Sequence, residues 1–96
     1  MIARLKRICA QAGVAEDAVE DLVRLVIKPP EGTINVTDLA GANDVQVALQ
    51  AATVAATNTR QFGQALQALL AFVDVRQVAL SDYDSGRFWH LKGVAV

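Results

Sequence analysis

The stretch that decides the fold class is residues 75–96, VRQVALSDYDSGRFWHLKGVAV. Residues 75–81 and 87–96 read as two strands, rich in branched and aromatic side chains. Between them Asp82, Tyr83, Asp84, Ser85 and Gly86 form a five-residue hairpin loop, with the glycine placed for positive φ. Alternation along the second strand sends one of Trp89 and His90 to the core and the other to solvent, and Trp89 is the better interior residue. The chain closes on Val94, Ala95 and Val96 without a polar tail, which fits either a strand that closes a sheet or a domain cut from a longer protein.

Working back toward the N-terminus, the apolar period becomes helical. Phe62, Leu66, Leu69, Leu70 and Val73 make a stripe over about 60–72, and Thr57, Asn58 and Thr59 before it prefer caps and turns. Asn43 and Asp44 are good N-caps for a helix over 45–56, which is so rich in Ala, Val and Leu that it belongs in the interior. Thr33 to Val36 alternates and suggests a short strand. Pro29 and Pro30 disfavour helix at Lys28 and end a helix over 15–27, whose acids lie early and whose Arg24 lies late, as the helix dipole favours. Residues 2–12 carry Ile2, Leu5, Ile8, Cys9 and Ala12 at helical spacing, and Gly13 supplies a left-handed stop. The order is helix, helix, short strand, helix, helix, hairpin. It predicts an α+β fold, mostly helical, with about four helices, a short strand and a C-terminal β-hairpin in one globular domain over 1–96.

Composition sets the boundaries of function. With 96 residues and 53% of them hydrophobic, the chain can build one core and is not a disordered composition. Nine basic against ten acidic residues give a net charge of −1, so any attraction for nucleic acid or anionic membrane must come from local clustering. Cys9 is the single cysteine, which excludes an internal disulfide and makes a reducing compartment, hence the cytoplasm, the expected location. No apolar run approaches the roughly 18 residues that a membrane span needs.

From Thr33 onward, the order strand, helix, helix, hairpin resembles the winged helix-turn-helix superfamily, in which a three-stranded sheet packs beside a helix pair and the hairpin loop is the wing. The resemblance implies that Ala51, Ala52 and Ala55 pack the first helix of the motif and Phe62, Leu66 and Leu69 the recognition helix. It then turns Asn58, Thr59, Arg60, Gln61 and Gln64 outward as nucleic-acid contacts, with Arg87 and Lys92 adding contacts from the wing. A DNA reader requires Arg60, Arg76, Arg87 and Lys92 on one exposed face. The recognition helix offers only Arg60 as a cation, and its turn lacks a glycine. Ile8, Cys9, Ala12, Gly13, Val14, Val19 and Val23 fit the same spacing, but that second helix is acidic and suits a helix hairpin of the core better than a phosphate surface.

The remaining constellations are weak as chemistry. Glu16, Asp17, Glu20 and Asp21 form either a solvated helix face or a docking face for a basic protein partner. Arg4, Lys6 and Arg7 are a solvated face that could grip phosphate or pair with those acids. His90 and Cys9 stand 81 positions apart and lack the further ligands of a zinc site, and Asp82 to Gly86 lacks the calcium-loop pattern. No phosphate loop, dinucleotide fingerprint or nucleophile elbow is present, so neither catalysis, a metal nor a cofactor is expected. The reading is a non-catalytic interaction domain that binds a protein partner as an adaptor, regulator or terminal domain. The alternative is a winged-helix transcription regulator. Homodimerisation through the alanine-rich stretch 48–56 or the apolar end strand is a further expectation.

Overall fold

The computed structural model describes residues 2–27 and 41–95. They form five α-helices: α1 (Ile2–Ala12), α2 (Glu16–Ile27), α3 (Asp44–Ala55), α4 (Thr59–Asp74) and α5 (Asp82–Ala95), with short 3-10 turns at Ala56–Asn58 and Gln77–Ala79. α1 and α2 follow directly from their apolar stripes, burying Leu5, Ile8 and Cys9 on one and Leu22, Val23 and Val26 on the other. Gly13 has φ +89°. Its N–H reaches the carbonyl of Ala10 at 3.2 Å while the Val14 N–H reaches that of Cys9 at 2.9 Å, the double closure of a Schellman motif.

α3 is the centre of the domain. Asn43 caps it in a reciprocal box: its side chain accepts from the Gln46 N–H at 2.8 Å, and the Gln46 side chain accepts from the Asn43 N–H at 2.9 Å. The helix is buried almost all round, so α1, α2, α4 and α5 all pack against it, α4 most extensively. Ala48, Ala51, Ala52 and Ala55 are at most 1% exposed and leave room for the neighbouring helices to approach closely. The alanine-rich stretch therefore belongs to the core, and the expectation that it forms a dimer surface is corrected. α4 opens with Asn58, whose side chain accepts from the Gln61 N–H at 3.2 Å, and kinks at Phe62, where φ −114° and ψ 21° depart from helix and turn a fully buried ring inward.

The C-terminal hairpin is overturned. Residues 75–81 are not a strand: Val75 and Val78 are 77% and 99% exposed, and Gln77–Ala79 is a single 3-10 turn. Residues expected in the hairpin loop and second strand form α5. The reason is local. Ser81 accepts from the Asp84 N–H at 3.2 Å and donates to the Asp84 carboxylate at 3.1 Å, so the polar run that resembled a loop is an N-cap and first turn. Phe88, Leu91 and Ala95 then recur at helical spacing and pack onto the core. Trp89, expected inside, is 55% exposed, and Phe88 takes the interior position. The described residues contain no strand, so the expected α+β class gives way to an all-α fold, and the helix α5 stands where the winged-helix resemblance placed its wing. The short strand expected at 33–36 and the Pro29–Pro30 stop lie outside the described residues.

Candidate functional site

α5 packs a mixed face against the domain. Beside the buried Phe88 and Leu91, the charged side chains of Asp84, Arg87 and Lys92 turn toward it, while Asp82 is exposed. Arg87 donates to the buried Gln50 at 3.2 Å and to the Thr53 hydroxyl at 2.8 Å, and stands 3.7 Å from Asp84. Asp84 also accepts from Gln46 at 3.2 Å. The Arg87 and Asp84 side chains are only 21% and 14% exposed. At the other end the Lys92 ammonium lies 3.9 Å from Asp74 and over the rings of Phe88 and Trp89. These bonds satisfy the polar groups that α5 presents to α3 and hold the helix in one register.

The Tyr83 and Trp89 side chains, by contrast, face out, while Phe88 is buried. Tyr83 is 70% exposed, Trp89 55% and Val94 43%, and Gly86, His90 and Gly93 lie exposed among them. Trp89 is braced by the edge of Phe88, ring centroids 5.3 Å apart. A Cβ on either glycine would meet nothing within 4 Å in this chain. Glycine inside a helix costs up to about 1 kcal/mol relative to alanine, so no internal contact explains either residue. Open grooves run along both sides of α5. One of about 450 Å³ is lined by Thr53, Tyr83, Gly86, Arg87, His90 and Leu91, and one of about 290 Å³ by Gln67, Leu70, Ala71, Asp74, Lys92 and Ala95.

The residues expected to touch nucleic acid are mostly employed elsewhere. Asn58 caps α4, and Gln61 donates to Asp21 on α2 at 3.2 Å. Gln64 clamps the α1–α2 turn, donating to the Gly13 carbonyl at 2.9 Å and accepting from the Ala15 N–H at 3.0 Å. Thr59 and Arg60 are exposed. Arg87 and Lys92 pair with acids as described, and Arg76 lies 3.7 Å over the Phe72 ring and donates to that residue's carbonyl. Of the acidic face, Glu16, Asp17 and Glu20 are exposed at the start of α2, while Asp21 bonds Gln61 and stands 3.5 Å from Arg24. Arg4 and Arg7 pair with Asp44 of α3 and not with the acids of α2. The Arg4 guanidinium, hydrogen-bonded to Asp44 and joined by Arg7, holds that carboxyl below its ordinary range.

Cys9 is fully buried and burial pushes its thiol up, away from the reactive thiolate, while His90 is exposed on α5. Among the described residues no group of three or more His, Cys, Asp or Glu side chains is arranged to hold a metal ion, and no helix is long and apolar enough to cross a membrane. The α5 surface was missed in the sequence because Tyr83 and Trp89 were read on a hairpin. The Ser81–Asp84 capping spacing was the signal that would have found it.

The fold and surface define a small all-α domain with one outward-facing aromatic helix. Compared with protein families, curated proteins and solved structures, the chain matches none of them.

Proposed function

We propose that this domain is a non-catalytic protein-binding module and that α5 is its contact element. The exposed aromatic pair of α5 carries the reading: the helix turns Phe88 and Leu91, with Asp84 and Arg87, to the domain and leaves Tyr83 and Trp89 to solvent. Tyrosine and tryptophan are the side chains that most often anchor protein interfaces, because they bring large apolar area at little entropic cost. The flanking grooves accept side chains from an opposing helix or segment. The exposed acids Glu16, Asp17 and Glu20 on α2 are a second, electrostatic face that would steer a basic partner without supplying an anchor.

The test is a photo-crosslinking amino acid placed at Tyr83 in cells that make the protein, with the same group at Arg60 on α4 as control. The expected result is one dominant protein adduct from position 83, lost when Trp89→Ala is added. Indistinguishable adducts from the two positions would sink the reading.

A further inference from the structure

We infer that α5 is a detachable latch: it leaves the domain and returns as one unit while α1 to α4 stay folded, and the surface beneath it is built to meet water when it leaves. This opening belongs to the single chain and stands whether or not α5 is the contact element. At about 100° per residue, Gln46, Gln50 and Thr53 fall within about 60° of one another, a polar stripe on a helix otherwise buried through Ala, Val and Leu. Asp84 and Arg87 bond to this stripe. Two of its members also hold bonds that do not involve α5: Thr53 donates to the Leu49 carbonyl at 2.8 Å, and the Gln46 side chain accepts from the Asn43 N–H at 2.9 Å. Arg87 and Asp84 keep one another, 3.7 Å apart within α5, and Asp84 keeps its bond from Ser81 at 3.1 Å. Separation therefore exchanges the bonds between α3 and α5 for bonds to water, and it uncovers a stripe that water can solvate.

The apolar anchoring is slight as well. Only Phe88 and Leu91 of α5 are buried, the fewest for any of the five helices among the described residues. Elements with few buried apolar side chains are those that open below the global transition. Gly86 and Gly93 weaken the helix itself, and 14 residues are marginal for a helix without its packing, so α5 melts as it separates. In the connection from α4, Val75 and Val78 face solvent, and the Ala79 carbonyl accepts from the Asn43 amide at 3.3 Å. The α3–α4 pair, the most extensive in the domain, does not run through α5, so the other four helices keep their core. A ligand that grips docked α5 would close the latch, and one that takes its inner face would open it.

Native-state hydrogen exchange on the full chain, read amide by amide at low, rising urea, tests the latch. Amides in the middle of α5 are expected to converge on one opening with a common urea slope, at least about tenfold less protected than the slowest amides of α3 and α4. Gly86→Ala, which adds a Cβ into open space, should raise α5 protection about two- to fivefold. Gln64→Ala removes a clamp that stays folded when α5 leaves, so it should lower the protection of the slowest α3 and α4 amides and leave that of α5 unchanged. Amides of α5 protected as strongly as those of α3 and α4, or falling with them in Gln64→Ala, would overturn the proposal. So would α5 amides whose urea slopes are near zero or differ from one another, which is the mark of fraying from an end.

Discussion

Asp44 shows how a single residue can tie distant elements together. It sits in the first turn of α3 and takes Arg4 at 3.0 Å and Arg7 at 3.2 Å, both from α1. Because its side chain is 40% exposed, solvent screens the pairing, and we expect Asp44→Asn to cost no more than about 1 kcal/mol at neutral pH. The pH dependence follows from the direction of the shift. With the folded carboxyl held below its unfolded value, the folded state binds fewer protons in the acid range. The contribution is fully present above the unfolded carboxylate range and is lost as pH falls through the lowered folded value. Urea midpoints measured from neutral to acid pH should converge for wild type and Asp44→Asn at the acid end; a gap that persists there would contradict the assignment.

At the scale of elements, the α1–α2 connection is set by two devices of different kind. The Gly13 Schellman closure is local and was readable from a glycine after an apolar stripe. The second is Gln64, which reaches from α4 across 49 positions to the Ala15 N–H and across 51 to the Gly13 carbonyl. Gln64→Ala is expected to destabilise the fold by about 1–2 kcal/mol, two neutral hydrogen bonds' worth, and to raise amide exchange at Ala15 specifically. Unchanged exchange at Ala15 would mean the clamp is not maintained in solution. α5 was the element that sequence patterns misassigned. Gly86 and Gly93, an aromatic pair and a valine-rich end all lean toward β or turn, yet the Ser81 cap and the inward contacts of Phe88, Leu91 and Arg87 outweigh those preferences.

For the molecule as a whole, the cations expected to form a nucleic-acid face are dispersed. Arg87 and Lys92 are committed to Asp84 and Asp74, whereas Arg60 and Arg76 are exposed without an ion pair among the described residues, Arg76 lying over the Phe72 ring and bonded to its carbonyl. Fluorescence anisotropy with a mixed-sequence duplex is expected to show no binding that steepens at low salt, since two exposed arginines release few counterions. Tight, salt-sensitive binding weakened by Arg60→Ala would reinstate the DNA reading.

What the sequence determined by itself is the first four helices and their caps. α1, α2 and α4 carry apolar stripes of period 3.6 and α3 is apolar almost all round, with Gly13, Asn43 and Asn58 as bounds, and those signals are local, so they act before any tertiary contact forms. The acids of α2 were likewise legible as a surface. Only the tertiary structure decided α5, because both its faces mix polar and apolar side chains: Phe88 and Leu91 are buried beside Asp84 and Arg87, and Tyr83 and Trp89 are exposed beside Asp82 and His90, so no apolar period marks the helix. The pairing of Arg87 with Gln50 and Thr53, 37 and 34 positions away, satisfies the polar groups on its inward side. The same long-range bonds turn Tyr83 and Trp89 to solvent, and with them the surface on which the proposed function rests.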